Sequence, residues 1–347
     1  EIGSGLVGSE MCIRDRIITV EKDTHYWLIR TMGGDFFYEY TSRGYIAIGY
    51  NEITLNEIKF ASTFGEKAGE QLKNIIETKE ALKKQSNDEE EINAQYATTQ
   101  LLKFYRDIQI GDVIVIPGRN SDDIAFAKIE SGVYEELNVS KLEGVCNFVK
   151  RRKIHLLHKT TRTGLNPKLQ LMFNSRHIVS NVDGYASYID NSISDFYAKD
   201  GYTNLVLRVK EEDDLRASDF GIVPALVELV KDFSEENNLD INIDDIKAKM
   251  CVQSPGDILM FATSWEGITL IGLFILLLKN GELSCSKESG FKIKVGDLLQ
   301  SISDFLDRRR DRKFKKAMQE KLEKMKIETP EDLIAIMKEF NEKRKRY

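Results

Sequence analysis

Residues 26–53 read YWLIRTMGGDFFYEYTSRGYIAIGYNEI, the most strongly patterned stretch of the 347-residue chain. Aromatic and β-branched residues dominate its two ends, which predicts one strand within 19–31 and another at 45–50. The glycines of 32–35 predict a turn, and the aromatic run at 36–42 predicts a short helical turn. The stretch therefore indicates two strands joined by a compact connection.

A second β-rich stretch at 111–129 reads GDVIVIPGRNSDDIAFAKI. Its first part, 111–117, is almost wholly apolar, which is typical of a central strand. The polar residues 118–123 predict a hairpin loop, and 124–129 predicts the returning strand. Between the two stretches, 62–107 has the apolar spacing of amphipathic helices. Helices thus separate the two β-rich halves of one predicted domain.

The remaining chain predicts a closing helix, a linker at 200–201, a smaller α/β domain and a basic helical tail. The predicted elements are a helix at 185–197, strands at 202–210, 246–253 and 291–295, a helix at 222–235, and tail helices within 308–347. Met318, Leu322 and Met325 form one apolar stripe on the tail.

The window 258–278 is the most apolar part of the chain, and it allows two interpretations. Its 21 residues match the length of a membrane span. Alternatively, the sequence Trp265-Glu266-Gly267 divides it into a strand end and a buried core helix. We favour the core helix, because a carboxylate within a single span is costly.

Composition describes a globular chain with an uneven charge. The net charge of −6 argues against a nucleic-acid coat over the whole surface, yet 307–347 holds 15 Lys and Arg against 9 Asp and Glu. The four cysteines, Cys12, Cys146, Cys251 and Cys285, have neither metal-binding spacing nor the pattern of a disulfide framework. We therefore expect a cytoplasmic protein.

Three segments in this order, 26–53, 111–129 and 150–182, resemble the amino-terminal domain of certain prokaryotic restriction-type and anti-phage defence proteins. That domain is similar to EVE/PUA-like β-barrels, some of which read modified bases in DNA or RNA. The resemblance covers about residues 24–195, with Tyr50 where the family often has Trp. Its motif positions are Trp27, Arg30, Gly33, Gly34, Gly49, Tyr50, Gly111, Asp112, Pro117 and His177.

A reader of exposed bases needs aromatic faces for stacking, cations for phosphate, and glycines where backbone approaches the ligand. We expect an open pocket between Trp27, Tyr50 and Arg119. The basic run at 150–153 is either a solvated strand end or a phosphate-binding edge beside the first motif, 26–53. The predicted binding residues are Trp27, Arg30, Gly33, Gly34, Tyr50, Arg119, Asn120, Ser121 and His177.

No catalytic set, metal site or cofactor is predicted. The four histidines lack metal-ligand spacing, and the acidic residues 211–214 lack the spacing of a nuclease site. The leading hypothesis is a nucleic-acid or modified-nucleotide binding module of a defence or restriction-type protein. The alternatives are a metal-dependent restriction-type endonuclease and a membrane-associated effector that uses 258–278.

The expected fold class is α+β, with a PUA/EVE-like barrel at 17–199, an α/β domain at 200–305 and a basic helical tail at 306–347. Residues 1–16 resemble a translated sequencing-adaptor read, so we expect them to be a non-native leader. The expected partners are DNA or RNA, modified or unmodified, and a protein bound through 306–347, whereas no membrane partner is expected.

Overall fold

The computed structural model describes residues 17–84, 92–139, 145–211, 213–250, 256–280, 294–308 and 312–336. Contacts divide the chain into two compact units. The first unit is Asp23–Ile193, and the second unit combines the residues before Asp23 with those from Ser194 onward. Both units mix helices and strands, so the mixed class predicted from the sequence is confirmed.

The strands are β1 (Ile18–Val20), β2 (Tyr26–Ile29), β3 (Tyr45–Ile48), β4 (Val113–Pro117), β5 (Asp123–Ile129), β6 (Tyr134–Glu135), β7 (Lys150–Thr161), β8 (Val179–Asn181), β9 (Phe196–Lys199), β10 (Tyr202–Val209), β11 (Lys247–Met250) and β12 (Gly256–Ala262). The helices are α1 (Phe37–Arg43), α2 (Leu55–Ser62), α3 (Ala68–Lys84), α4 (Ala94–Leu102), α5 (Ala186–Ile193), α6 (Ile222–Glu236), α7 (Trp265–Asn280), α8 (Lys294–Arg308) and α9 (Arg312–Lys324). A π-helical turn, Lys103–Asp107, continues α4, and Pro167–Asn174 forms 3₁₀ turns.

The sheet of the first unit has the order β3-β7-β5-β4-β2-β8 and is curled into a half-barrel. β2 and β4 are parallel, whereas the other pairs on this path are antiparallel. Residues 150–153 of the long strand β7 pair with β3, and residues 154–161 pair with β5. A bulge between Phe126 and Ala127 interrupts the second pairing, which is a common way to bend a sheet. One strand thus carries the sheet around its curve.

The elements predicted from the two β-rich stretches are confirmed, with differences at their ends. The predicted strand at 19–31 is two strands, β1 and β2, and these belong to different units. The predicted loop at 118–123 contains a 3₁₀ turn, Arg119–Ser121. Helix α2 begins with a capping box between Thr54 and Glu57, in which each side chain accepts from the other residue's backbone N–H.

The basic run at 150–153 is neither a solvated strand end nor a phosphate-binding edge, so both interpretations were wrong for most of it. Lys150, Arg151 and Arg152 are buried, and only Lys153 is exposed. The three buried cations donate to backbone carbonyl oxygens. Arg151 donates to the carbonyls of Phe148 and Cys146 and lies over the ring of Tyr45. The hydrogen bonds of these buried cations are therefore made within the protein, where they offset the cost of burying charge.

Arg152 ties the end of α4 to the sheet. Its guanidinium donates to the carbonyls of Phe104 (2.9 Å), Tyr105 (2.9 Å) and Ile108 (2.8 Å) on and just after the π-helical turn, and to that of Ser131 (3.1 Å). The last carbonyls of a helix have no partner within it and form its negative end. A planar group with five N–H donors suits them well. Burial lowers the pKa of Arg152 to about 10.

The second unit is a five-stranded sheet, in the order β1-β9-β10-β12-β11, packed with helices. Its core contains Leu226 and Phe233 of α6, together with Phe274 of α7 and Phe305 of α8. Phe233 contacts the other two phenylalanine rings at centroid distances of 5.8 and 5.4 Å. The helices are therefore joined by a shared apolar core.

Two predicted boundaries differ from the observed division. The helix predicted at 185–197 ends at Ile193, because the chain then forms β9, which pairs with β10. Strand β1 pairs in parallel with β9 and so brings residues 17–22 into the second unit. The observed boundary near 193 and 194 follows from strand pairing that sequence spacing does not reveal.

The described part of the basic tail, up to residue 336, packs into the second unit. The apolar stripe formed by Met318 and Leu322 of α9 and by Met325 just after it is buried in the core of that unit. Ile327 bridges to Val209 of β10, which adds backbone pairing. Within 306–336, therefore, the apolar stripe is used by the fold, and it is not left for a separate protein partner.

The apolar window 258–278 is divided into β12 and α7, as the core-helix interpretation predicted. In the described residues, no helix has the length and apolar character needed to cross a membrane. The strand predicted at 291–295 is wrong for residues 294 and 295, which begin α8. The predicted leader, 1–16, and the chain from 337 onward lie outside the described residues.

Replacing Arg152 tests its role at the end of α4. We expect Arg152→Met to lower the unfolding free energy of the first unit by at least about 3 kcal/mol, because several carbonyls lose a charged donor. Urea unfolding in a Trp265→Phe background makes Trp27 the single tryptophan reporter for that unit. Lys153→Met is the matched control on the exposed neighbour and should change stability by less than about 0.5 kcal/mol. Equal losses for both variants would contradict this role.

A candidate ligand pocket in the first unit

A pocket of about 780 Å³ opens in the first unit where the two ends of the curled sheet approach each other. Residues of β3 and the turn after it form one side, and residues that follow β2 and precede β8 form the other. Because β3 and β8 are the outermost strands of the sheet, its curl is what brings these sides together. The lining residues are Arg30, Met32, Gly33, Ala47, Gly49, Tyr50, Phe148, Phe173, Asn174, Ser175, Arg176 and Ile178.

The turn after β2 has an unusual backbone that only a glycine-rich sequence adopts easily. Met32, Gly33 and Gly34 have φ angles of 51°, 70° and 110°. A Cβ atom on Gly34 would lie 2.3 Å from the Cα and N atoms of Arg119, so glycine is required there. Gly33 has no atoms near the position of a Cβ and lies at the pocket. The paired glycines thus shape the pocket wall and seat the 119–121 turn.

Tyr50 lies at the pocket in a left-handed backbone conformation, with a φ of 59°. This conformation costs a non-glycine residue roughly 1–2 kcal/mol. Strain of this kind persists where neighbouring contacts hold it, often at functional sites. Burial raises the pKa of the Tyr50 phenol to about 12, so the ring enters the pocket as a neutral hydrogen-bonding and stacking group.

Lys150 holds the backbone of the Tyr50 turn. Its Nζ donates to the carbonyl of Tyr50 at 2.8 Å and to that of Ile53 at 2.9 Å. Lys79 of α3 donates to the carbonyl of Glu52 in the same turn at 2.6 Å. Two ammonium groups thus bind three carbonyls of the turn that carries Tyr50.

Burial disfavours the charged form of the Lys150 ammonium group. Burial lowers its pKa to about 8, while Glu52, Glu135 and Glu57 raise it and Lys79 lowers it. The carboxylates therefore recover only part of what burial removes. Lys150 is consequently a buried cation whose proton is held more weakly in the folded chain than in the unfolded chain.

Arg30 builds the opposite wall. Its Nε donates to the carbonyl of Ser175 at 3.2 Å, and its Nη2 donates to the carbonyls of Ser175 (2.5 Å) and Phe173. The backbone N–H of Arg30 donates to the carbonyl of Ile178 at 2.9 Å. Partial burial lowers the pKa of Arg30. The side chain both faces the pocket and positions the segment 173–178 around it.

Aromatic rings form much of the remaining surface. Phe148 lies edge-on to Phe36, with ring centroids 5.3 Å apart, which fixes its orientation. A Cβ atom on Gly49 would lie 3.3 Å from the ring of Phe148, so glycine at 49 permits this close approach. Together with Phe173, the rings of Phe148 and Tyr50 give the pocket three aromatic side chains.

Of the nine predicted binding residues, the structure places Arg30, Gly33 and Tyr50 at the pocket. Trp27 is buried, and its Nε1 donates to Asp112 at 2.8 Å, so these two motif residues form a structural pair. The expected pocket between Trp27, Tyr50 and Arg119 is therefore not the one observed. Burial of an apolar ring with its one polar atom satisfied explains the difference.

The other predicted residues lie outside the pocket. Gly34 packs on Arg119, and Ser121, in the same 119–121 turn, is buried. Arg119 and Asn120 are exposed. His177 is exposed and its ring stacks on that of Tyr96, 5.7 Å away, although its neighbours in the chain on both sides line the pocket.

Sequence reasoning missed several lining residues, among them Phe148, Phe173, Asn174 and Arg176. Arg176 directly precedes His177, so the residue predicted from the motif was the neighbour of the one that lines the pocket. Phe148 lies before β7 in a segment without periodicity, and nothing local indicated that it faces a cavity. Only the curl of the sheet brings Phe148 near 173–178.

The chain therefore contains a half-barrel unit with an open cavity and a second unit in which helices pack on a five-stranded sheet. Within the part of the chain that the structure describes, no three His, Cys, Asp or Glu side chains are grouped so as to hold a metal ion. No protein-family model matches this sequence, and the comparison with curated proteins found no match.

The weakly held proton on Lys150 predicts a specific dependence of stability on pH. A folded-state pKa of about 8 lies below the unfolded value of 10.5, so the unfolded chain binds more protons between these values. The contribution of Lys150 is therefore constant below pH 8 and rises as pH increases towards 10.5. The full difference corresponds to about 3 kcal/mol.

Comparison with Lys150→Met isolates this contribution, because methionine does not titrate. We expect the unfolding free energy of the wild type, minus that of Lys150→Met, to increase between pH 8 and pH 10. Urea unfolding at several pH values, followed by Trp27 fluorescence in the Trp265→Phe background, measures it. A difference that stays flat across this range would contradict the lowered pKa.

Proposed function

We propose that the first unit binds DNA or RNA in the cytoplasm and accepts a base, modified or unmodified, in the pocket beside Tyr50. It would serve as the recognition module of a prokaryotic defence or restriction-type protein. The observation that carries this proposal is the combination of three aromatic side chains with two arginines in one open cavity.

The chemistry of these walls suits a nucleobase. Bases stack on aromatic side chains with about 1–3 kcal/mol per base, and arginine adds charge-assisted contacts to phosphate. Pockets that hold small ligands typically measure about 300–1,000 Å³, and this one measures about 780 Å³. Mostly apolar walls with a few polar groups favour a flat ring that carries hydrogen-bonding edges.

The strained and clamped backbone supports a binding role as well. Met32 and Tyr50 both adopt left-handed conformations, and both line the cavity. Lys150 and Arg30 fix the two walls through backbone carbonyls. A pre-formed pocket loses less conformational entropy when a ligand binds. The order of the three sequence motifs, with its resemblance to base-reading domains, points in the same direction.

Replacing Phe148 tests the aromatic wall. We expect Phe148→Ala to weaken binding of single-stranded or modified duplex oligonucleotides by roughly 5- to 100-fold, because a stacking surface is lost. Fluorescence anisotropy with modified and unmodified probes at fixed salt measures it. Urea unfolding of the variant, read through Trp27, separates lost binding from lost structure.

Phe60→Ala is the matched control, since Phe60 is an exposed aromatic side chain of the same unit that is not among the pocket-lining residues. Its binding should equal that of the wild type. If Phe148→Ala binds every probe as tightly as the wild type does, the pocket is not the base site.

A further inference from the structure

The charged side chains that line the pocket are both cations. Arg30 and Arg176 line it, and no Asp or Glu is among the lining residues. The chain as a whole has more acidic than basic residues, 56 against 50. A cavity with two cations and no carboxylate therefore differs from the average surface of this protein and attracts an anion.

Neither arginine has a carboxylate partner within ion-pair distance among residues 17–336 that the structure describes. Arg30 is half-buried, and its Nε and Nη2 are bonded to the carbonyls of Phe173 and Ser175. Those carbonyls supply dipoles but no negative charge. Nη1 takes part in none of these bonds.

A flipped internal base would not by itself supply a negative charge to the two arginines. Such a base presents a neutral heterocycle to the pocket, and each of its flanking phosphates is a diester with a single negative charge. A phosphate monoester instead carries a charge of about −1.5 to −2 and three strong acceptor oxygens. A guanidinium binds such a group with short, charge-assisted bonds.

We infer that the pocket takes a terminal, phosphate-bearing nucleotide, with its base against the rings of Tyr50 and Phe148 and its phosphate on Arg30 and Arg176. This inference rests on the proposed function and names the part of the ligand that enters. The phosphate belongs either to a free mononucleotide or to the phosphorylated end of a strand. The cavity of about 780 Å³ is in the range that encloses a whole small ligand.

The test compares ligands that differ only in the phosphate, using the full chain. Isothermal titration measures binding of a nucleoside, its 5′-monophosphate, and inorganic phosphate. Anisotropy measures a short strand that ends in a 5′-phosphate, a 3′-phosphate or hydroxyl groups. We expect at least one phosphorylated ligand to bind tenfold or more tightly than its hydroxyl counterpart, and the arm that shows this identifies the source.

Arg176→Gln should remove most of that phosphate preference, because it removes one of the two cations that line the pocket. Arg176 is exposed, so we expect the variant to fold. The matched control is Arg106→Gln, because Arg106 is an exposed arginine of the same unit whose side chain donates to Asp107 and which is not among the pocket-lining residues. The control should keep the full preference. Loss of preference in both variants would indicate non-specific charge and would overturn the inference.

The outcomes separate this inference from the proposed function. Equal binding of phosphorylated and hydroxyl ligands overturns the terminal-phosphate inference and leaves base binding standing. If inorganic phosphate binds in an Arg176-dependent way while no nucleoside or strand binds, the nucleic-acid function falls and the anion site stands. If no ligand binds, both fall.

Discussion

Buried cations bonded to backbone carbonyls are the interaction on which the first unit depends. Three successive cations begin β7. Lys150 and Arg152 donate to carbonyl oxygens of segments distant in the sequence, whereas Arg151 donates to the nearby carbonyls of Phe148 and Cys146. Arg152 completes the end of the α4 helix, where carbonyls have no partners of their own. Because a buried charge without partners is very costly, the cations and the carbonyls each require the other. This mutual requirement places the inserted helices on the sheet.

The same kind of bond shapes the pocket. Lys150 holds the carbonyl of Tyr50 in a strained turn, and Arg30 holds the carbonyls of Phe173 and Ser175 on the other side. Glycines at 34 and 49 allow backbone and ring to approach where a side chain would collide. The walls are thus positioned by the fold before a ligand arrives, which limits the entropy that binding costs.

The second unit is stabilised in the ordinary way, by a shared apolar core. Its helices and its sheet bury phenylalanine, leucine and isoleucine side chains together, and the hydrophobic effect supplies the driving force. The basic helix α9 and the residue after it contribute Met318, Leu322 and Met325 to that core, while the charged side of the helix faces outward. The positive charge of α9 therefore lies on one side of a helix that is otherwise packed into the core.

The sequence by itself determined most of the elements, since alternation, helical spacing and glycine-rich turns act over a few residues. Three of the residues predicted from the stretch 26–53, Arg30, Gly33 and Tyr50, line the pocket. Only the tertiary structure decided that Trp27 is core, that 150–152 is buried, and that Phe148 and Arg176 share a cavity. These facts depend on sheet curl and strand pairing between residues far apart in the chain, and local patterns carry no information about such distances.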